Sequence, residues 1–415
     1  MTIRETLERA RRASRVLAGL TRARKDDALR AVAEALERRR DEILRDNAED
    51  LAGARVDHLA EVLIDRLLLD EDRLREIAAS VREIAALGDP VGEVERGWRL
   101  PNGLDLQRVR VPLGVVAIVY EARPNVTVDA AALCLKTGNA VILRGGSAAR
   151  HTNRILAEVV QGAVLEAGLP AEAVTFLGGD REALVDLVQH QDLVDVVIPR
   201  GGEELKAFLL EHSKVPVIYA AGGNCHVYVD AAADLDKAVA ITVNAKCQRP
   251  GICNAAETLL VHAAVAEAFL PRIVDELVRR GVELVVDKAT AEIVADPSLK
   301  RARRSHYQTE FLALKMALRV VGSLDEAVDH IATYGSGHSE AIVTEDLGAA
   351  RAFTRRVDAA VVYVNASTRF TDGGQFGLGA EMGISTQKLH ARGPIALQEL
   401  TCVKYVVWGD GQVRG

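Results

Sequence analysis

Between residues 115 and 219, short apolar runs alternate with segments long enough for helices, and this alternation limits the possible folds most strongly. The runs lie at 115–119, 140–143, 174–177, 194–198 and 217–219. Pairs of glycines follow three of them, namely Gly145-Gly146, Gly178-Gly179 and Gly201-Gly202. A repeated strand, glycine turn and helix predicts a doubly wound parallel α/β sheet. Such a sheet binds its ligand at the carboxyl ends of its strands.

A second α/β segment follows at about residues 225–385. It opens with the segment His226-Val-Tyr-Val-Asp230, which predicts a strand, and continues with apolar residues at helical spacing from Leu235 to Val243. The turn Pro250-Gly251 comes next, and the segment Glu257-Thr-Leu-Leu-Val-His262 predicts a buried strand. A glycine-rich run covers residues 365–383. The chain is therefore predicted to contain two closely packed α/β regions.

The remaining segments predict helices and a hairpin. Leu29, Ala33, Leu36 and Ile43 mark helical spacing within residues 1–90. Residues 93–113 alternate apolar and polar side chains around Asn102-Gly103, which is a strong hairpin signal. The tail at 397–407 is also strand-like.

Charge and composition exclude several classes of protein. The net charge of −7 and the pI of about 5.9 argue against a nucleic-acid partner or an anionic membrane. We find neither a signal peptide nor an apolar stretch of the roughly 18 residues that a membrane helix needs, so the cytoplasm is the expected location. The number of cysteines, five, is odd and their spacing shows no framework, so disulfides are not expected.

Cys253 is the candidate nucleophile. It follows Pro250-Gly251 on a predicted turn between a helix and a core strand. A thiolate attacks acyl carbons well when its site lowers the thiol pKa. A single cysteine is more often a small buried hydrophobe, so the turn alone leaves both roles open. Cys247 is a second thiol six positions earlier, for which we favour a structural role.

Arg144 ends a predicted strand at the position where the adenosine end of a dinucleotide would lie. A guanidinium there can form bidentate bonds with a 2′-phosphate, which favours NADP(H), although a surface arginine is an equal alternative. The Gly-x-Gly-x-x-Gly fingerprint is absent. The cofactor-binding candidates are Arg144, Gly145, Gly146, Ser147, Gly178, Gly179, Arg200, Gly201, Gly202 and Gly222.

Asn125 precedes a predicted helix. Its side chain could cap that helix, or its amide could donate to an oxyanion. Cys225 and His226 are neighbours, but adjacent residues of a strand point to opposite faces, so we predict no metal site.

Taken in order, the motifs resemble those of the aldehyde dehydrogenase superfamily. They are Arg123-Pro-Asn-Val126, Gly138-Asn-Ala-Val-Ile-Leu-Arg144, Gly222-Gly223, Asp234-Leu-Asp-Lys-Ala-Val239, Cys253 and Phe376-Gly-Leu-Gly-Ala-Glu-Met-Gly383. Longer motifs over about 115–395 are similar to the branch of that superfamily that reduces L-glutamyl 5-phosphate. They include Tyr120-Glu-Ala-Arg-Pro-Asn-Val-Thr127, Gln248-Arg-Pro-Gly-Ile-Cys-Asn254, Tyr334-Gly-Ser-Gly-His-Ser-Glu-Ala341 and Asn365-Ala-Ser-Thr-Arg-Phe-Thr-Asp372.

This resemblance implies an aldehyde dehydrogenase-like fold with two doubly wound α/β domains and a β-hairpin oligomerisation arm. Residues 1–95 and 112–224 would form the NADP-binding domain, and 225–390 the catalytic domain with the cysteine loop. Residues 96–111 and 391–415 would form the arm of a homo-oligomer.

The resemblance also implies a reaction: NADPH-dependent reduction of L-glutamyl 5-phosphate to the semialdehyde with release of phosphate, the second step of proline biosynthesis. Cys253 would form a thioester and then a thiohemiacetal, and Asn125 with the backbone N–H of Cys253 would hold the oxyanion. Association with glutamate 5-kinase, which makes this labile substrate, is a further expectation.

One departure from the superfamily pattern bears on the reaction. Ala220 stands about where hydrolytic aldehyde dehydrogenases carry a general-base glutamate. A base that activates water would waste an acyl intermediate intended for exchange with phosphate, so alanine favours the acyl-phosphate reaction. A hydrolytic dehydrogenase and a non-catalytic nucleotide-binding protein remain the alternatives, and the presence of both Cys253 and Asn125 argues against the second.

The substrate that the resemblance implies is a dianionic acyl phosphate with an α-ammonium group, so its site would need cations and neutral donors. The candidates are Arg123, Arg249, Ser336, Gly337, His338, Ser339, Arg369 and Lys388, with Arg392 as a further cation. Glu121, Asp372 or Glu381 could hold the ammonium group. For each charged candidate, a surface ion pair is an equally good interpretation.

Overall fold

The protein is represented by a computed structural model that describes residues 2–59, 61–121, 123–178, 181–220 and 222–414. Contacts within the chain define two compact units. The first is Met1–Tyr219, Gly377–Gly383 and Ile395–Gly415, and the second is Ala220–Phe376 and Ile384–Pro394. The boundary falls after Tyr219 rather than after Asn224, and the segment 377–383, predicted as part of the catalytic domain, belongs to the first unit.

Helices and strands alternate over most of the described chain. The helices are α1 (Ile3–Leu17), α2 (Arg22–Arg38), α3 (Arg40–Val56), α4 (Glu61–Leu67), α5 (Glu71–Ala86), α6 (Asn125–Lys136), α7 (Arg150–Glu166), α8 (Arg181–Leu187), α9 (Glu203–His212), α10 (Leu235–Cys247), α11 (Ala263–Arg279), α12 (Lys288–Val294), α13 (Arg304–Tyr307), α14 (Leu324–Tyr334) and α15 (Leu347–Arg356). The strands are β1 (Val94–Arg99), β2 (Asp105–Pro112), β3 (Val115–Tyr120), β4 (Ala140–Gly145), β5 (Val174–Phe176), β6 (Val196–Arg200), β7 (Cys225–Val229), β8 (Ala256–His262), β9 (Glu283–Val286), β10 (Lys300–Arg301), β11 (Lys315–Val321), β12 (Ser339–Val343), β13 (Val361–Val364), β14 (Ile384–Ser385), β15 (Gly393–Pro394) and β16 (Thr401–Trp408).

The first unit contains a four-stranded parallel sheet in the order β5-β4-β3-β6. Four of the apolar runs predicted as strands form it, which confirms those predictions. All six residues of β3 are buried, so the sheet is covered on both faces. The strand predicted at 217–219 is wrong, since Val217 makes only an isolated bridge with Val197. Pro216 precedes it and has no N–H to extend the ladder.

The first unit also contains the N-terminal helices predicted from helical spacing. The apolar residues that marked this spacing are fully buried, among them Leu29, Leu36 and Ile43. Helix α1 begins with a capping box in which the Thr2 and Glu5 side chains each bond to the other residue's backbone N–H. Of the described helices, none is both long and apolar enough to cross a membrane.

A three-stranded antiparallel sheet, β1-β2-β16, contains the predicted hairpin and the C-terminal strand. Gly103 adopts φ +89° in the turn, a conformation that favours glycine. Trp98 and Tyr405 pack edge to face with centroids 6.1 Å apart. Tyr405 and Trp408 remain 60% and 63% exposed, which leaves apolar surface on this sheet. Its role as an oligomerisation arm stays a prediction.

The second unit is built on a seven-stranded parallel sheet in the order β10-β9-β11-β8-β7-β12-β13. Its core consists mainly of valine, leucine and alanine from the central strands and the helices packed on them. Strands β7 and β8 are neighbours, with Cys225 opposite Ala256. The segments that precede these two strands therefore lie at the same edge of the sheet, at the amino ends of its central strands.

Candidate functional site

Cys253 lies on the loop 248–255 between α10 and β8. The Ala255 N–H donates to the carbonyl oxygen of Ile252 at 3.0 Å, which closes a tight turn around the cysteine. Cys253 is partly exposed, whereas Asn254 beside it is buried. The local geometry is thus the one predicted, a thiol on a turn between a helix and a core strand.

Gly223, just before β7, and Cys225, the first residue of β7, both contact the carbonyl group of Cys253. A Cβ atom at Gly223 would overlap the carbonyl oxygen of Cys253, so no residue with a side chain fits there without a backbone shift. The Cys225 thiol donates to the same carbonyl oxygen at 3.2 Å. Burial raises the pKa of Cys225 well above its usual value, which makes this thiol a structural donor rather than a nucleophile.

Arg369 lies beside the loop, on a 3₁₀ turn at Thr368–Phe370. Its Nε donates to Gln248 Oε1 at 2.8 Å and its Nη1 donates to Asn254 Oδ1. Burial and the charge of Arg249 lower the pKa of Arg369, while Asp372 and Cys253 act in the opposite direction. Arg249 is the next residue after Gln248 on the same loop, so the loop that carries the nucleophile also carries one arginine and binds a second, an arrangement that attracts an anion.

The structure places His338 and Ser339 beneath the surface of the site. Both are fully buried, and His338 Nδ1, Ser339 Oγ and Thr371 Oγ1 follow one another at 2.8 and 2.7 Å. Burial lowers the pKa of His338 to about 4, so its imidazole is neutral at pH 7. Direct donation from these two residues to a substrate, as predicted, is not supported by their burial.

The other predicted substrate residues of this unit are at or near its surface. Ser336 Oγ accepts from the Asn224 N–H at 3.0 Å, and Gly337 adopts φ +72°. Lys388 and Arg392 both pair with Asp358, and Lys388 is largely exposed. Arg249 and Arg369 are therefore the predicted cations that the structure associates with the cysteine loop.

Glu310 is a site residue that sequence reasoning missed. Its Oε1 accepts from the Gly223 N–H at 2.6 Å, and a Cβ at Gly222 would lie 2.6 Å from its Oε2. The two bonded residues are 87 positions apart, so no local spacing could have revealed their contact. Glu310 thus occupies the side of the glycine turn where a cofactor role was predicted for Gly222.

In the first unit, the cofactor candidates gather at the carboxyl ends of β3, β4 and β6. Gly145 and Arg200 both lie opposite Tyr120 in the sheet register. Glu121 Oε2 accepts from the Gly202 N–H at 3.0 Å, which joins the turns after β3 and β6. Arg144, Gly146, Ser147 and Gly201 are adjacent in the chain to these residues, and Gly178 follows β5 closely. Gly179 lies outside the described residues.

Asn125 is the first residue of α6, and Pro124 is its N-cap. The alternative of Asn125 as a helix cap is therefore wrong by one position, since α6 begins at Asn125 itself. Its side-chain amide donates to Asp129 Oδ2 at 3.0 Å. Burial raises the pKa of Asp129 to about 6, whereas the bond from Asn125 lowers it. Arg123, two residues before Asn125, is exposed.

Comparison with known proteins identifies close relatives. The model of the aldehyde dehydrogenase family matches residues 1–292. Gamma-glutamyl phosphate reductase from Moorella thermoacetica is 55% identical, with 98% of this chain and 97% of the relative covered. Gamma-glutamyl phosphate reductase from Thermobifida fusca is also 55% identical, over 99% and 98% of the two chains.

Solved structures show the same relationship. The crystal structure of gamma-glutamyl phosphate reductase from Thermotoga maritima superposes with a TM-score of 0.96 at 47% identity, over 99% of each chain. An acetylating aldehyde dehydrogenase from Geobacillus thermoglucosidasius has a TM-score of 0.71 at 19% identity, over 100% of this chain and 97% of the other. This second likeness shows the fold alone.

Proposed function

The chain belongs to the aldehyde dehydrogenase family, and we propose that it reduces L-glutamyl 5-phosphate to L-glutamate 5-semialdehyde with NADPH, releasing phosphate. Relatives named gamma-glutamyl phosphate reductase that are about half identical over nearly the whole chain support this reaction of proline biosynthesis. The chain is accordingly an oxidoreductase of the glutamate-5-semialdehyde dehydrogenase type.

The observation that carries the proposal is a partly exposed Cys253 on a loop that also carries Arg249 and that binds the Arg369 guanidinium through Gln248 and Asn254. An acyl phosphate needs a nucleophile for its carbon and cations for its leaving group, and this loop provides both. Ala220, which makes an isolated bridge with Ser385, stands in the sequence about where hydrolytic members carry the general base. Its methyl group has no means of activating water, which favours transfer to phosphate over hydrolysis.

In the proposed reaction, the Cys253 thiolate attacks the acyl carbon, the carbon–oxygen bond to phosphate breaks, and phosphate leaves with the bonding electron pair. The N–H of Cys253 would donate to the oxyanion of this step. Reduction of the thioester gives a thiohemiacetal, whose collapse releases the aldehyde and restores the thiolate. Arg249 and Arg369 would stabilise the departing phosphate.

The nicotinamide cofactor supplies the hydride when bound. The carboxyl edge of β3, β4 and β6 suits a dinucleotide, because several glycines lie in the turns there and two arginines lie at the strand ends. Arg144 and Arg200 would hold phosphate groups, with Arg144 favouring NADP(H) over NAD(H).

The experiment that tests this proposal runs the reaction backwards, because the acyl phosphate is labile. NADPH formation is followed by absorbance with glutamate semialdehyde and NADP⁺, with and without phosphate, and again with NAD⁺. We expect turnover that depends on phosphate and prefers NADP⁺. Turnover that ignores phosphate would instead show a hydrolytic dehydrogenase, and no turnover under any condition would show a non-catalytic protein.

Replacing Arg369 with glutamine is expected to raise the KM for phosphate in the reverse reaction by about tenfold or more, because a charged hydrogen bond contributes roughly 1.5–3 kcal/mol. The KM for NADP⁺ should stay within about twofold of the wild-type value, since the predicted cofactor residues next to Arg144 lie in the other unit. Initial rates against phosphate concentration measure the effect.

The matched control is Arg356→Gln. Arg356 lies in the same unit as Arg369, and its guanidinium pairs with Asp325 on the surface. Its loss should leave the KM for phosphate unchanged. An unchanged phosphate KM in Arg369→Gln would remove Arg369 from the proposed phosphate site.

Assembly and location remain parts of the proposal. The exposed Tyr405 and Trp408 on the β1-β2-β16 sheet support a homo-oligomer built through this sheet. Association with glutamate 5-kinase rests on the lability of the acyl phosphate, and cytoplasmic location on the sequence. A pull-down that never recovers the kinase would contradict the association.

A further inference from the structure

Lys246 and Glu257 form a buried ion pair at the base of the Cys253 loop. Lys246 is in the last turn of α10, Glu257 is in β8, and both side chains are fully buried. Lys246 Nζ lies 2.6 Å from Glu257 Oε2. The two residues stand just outside the two ends of loop 248–255. A buried pair contributes little net stability, because the loss of hydration offsets the attraction, so its position calls for another explanation.

The second oxygen of the same carboxylate holds a different loop. Glu257 Oε1 accepts from the Leu312 N–H at 3.2 Å. Leu312 has φ +52°, a left-handed conformation that is unfavourable for leucine and needs support from its surroundings. The carbonyl oxygen of Leu312 faces Gly251, since a Cβ there would lie 3.7 Å from it. Glu257 therefore connects α10 and β8 with the loop around Leu312.

The loop around Leu312 also reaches the other side of the nucleophile. Glu310, two residues earlier, accepts from the Gly223 N–H at 2.6 Å. Gly223 in turn packs against the carbonyl group of Cys253. One oxygen of the Glu257 carboxylate thus binds Lys246 at the start of the cysteine loop. The other oxygen binds Leu312, in the segment whose Glu310 holds the Gly223 turn against the Cys253 peptide.

We propose that the Lys246–Glu257 pair is a positioning device for Cys253, which sets the geometry of loop 248–255 and of the Gly223 turn together. Neither side chain is exposed, so the pair acts on the nucleophile through these loops and not by touching substrate. The effect of the pair on the reaction rate rests on the proposed function. The effect of the pair on the order of loop 248–255 is independent of that function, and the test measures the two effects separately.

The test replaces both partners with apolar residues of similar size, Lys246→Met with Glu257→Leu. Because an apolar pair often stabilises as well as a buried ion pair, the melting temperature should stay within a few degrees of the wild-type value. Amide hydrogen exchange in the peptides covering 248–255 and 308–314 should become about tenfold faster or more. The kcat should fall by about tenfold or more, while the KM for NADP⁺ stays within about twofold.

Two further variants keep the test decisive. Glu257→Gln should also give faster exchange at 248–255 and a lower kcat, even if the double variant does not fold, because a neutral amide is a poor partner for the buried ammonium group. Its melting temperature should fall, because the ammonium group is left without a charged partner. Lys136→Met removes the ammonium partner of Asp26 from a buried pair in the other unit. This control should lower the melting temperature, yet leave exchange at 248–255 and the kcat unchanged.

The outcomes separate clearly. A folded double variant with wild-type exchange in loop 248–255 and wild-type kcat would overturn the proposal. The proposal would also fail if Lys136→Met accelerated exchange in this loop as much as the double variant does. If the wild type shows no turnover but the variants still show faster exchange in loop 248–255, the proposed reaction is rejected and the positioning role is retained. The two results are independent because hydrogen exchange needs no substrate.

Discussion

Replacing Cys253 with serine is expected to lower phosphate-dependent reduction of NADP⁺ by at least about 1,000-fold, because an unactivated hydroxyl is a far weaker nucleophile than a thiolate. The substitution changes one atom, so the loop supported by Gly223 and Cys225 should keep its geometry. The measurement is the initial rate with glutamate semialdehyde, NADP⁺ and phosphate, together with the melting temperature of each variant.

The matched control is Cys247→Ser, six positions earlier. Cys247 packs against the core of the second unit, and burial raises its pKa. Its thiol is therefore mostly protonated at pH 7 and should contribute no nucleophile, so the variant should keep at least about half of the wild-type rate. Full activity in Cys253→Ser together with loss of activity in Cys247→Ser would reverse the assignment of the nucleophile.

Replacing Gly223 with alanine is expected to have the second largest effect, a loss of activity of about 100-fold or more accompanied by destabilisation of roughly 3 kcal/mol. The added methyl group would overlap the carbonyl oxygen of Cys253, and this contact is between two backbones. No side-chain rotation relieves it, so either β7 or the cysteine loop must move. Denaturant unfolding measures the stability, and the reverse reaction measures the rate.

Gly251→Ala offers a comparison within the cysteine loop itself. The nearest atom to an added Cβ there is the carbonyl oxygen of Leu312 at 3.7 Å, an ordinary van der Waals contact. We expect this variant to keep its activity within about threefold and to gain up to about 1 kcal/mol of stability, because alanine restricts the unfolded chain. Equal activity in the two alanine variants would show that the contact between Gly223 and Cys253 does not position the nucleophile.

Local patterns in the sequence predicted much of the architecture. The buried strands β3, β4 and β8 came from short apolar runs, since burial on both faces of a parallel sheet requires continuous apolar side chains. The hairpin around Asn102-Gly103 came from alternation and a turn dipeptide. Each of these signals is local, because the residues that carry it belong to the strand or turn that it predicts.

The places where the structure departs from what the sequence suggested also have physical causes. The run 217–219 is apolar, but an apolar run alone does not distinguish a strand from a buried connection, and Pro216 lacks the N–H for a longer ladder. His338 and Ser339 lie in a motif that looked like a binding loop, yet Ser339 begins β12 and both are buried. Polarity in the sequence suggested exposure, whereas His338 Nδ1 and Ser339 Oγ take part in hydrogen bonds among buried groups.

By itself, the sequence determined the α/β class, the turn that carries Cys253 and the family resemblance, because these depend on residues close together in the chain. Only the tertiary structure decided what surrounds the thiol. Glu310 meets Gly223, Arg369 meets Asn254, and Glu257 meets Leu312 across separations of 87, 115 and 55 residues. Such contacts arise from the order of strands in the sheet and from the packing of the loops at its edge, and no periodicity or spacing in the chain encodes them.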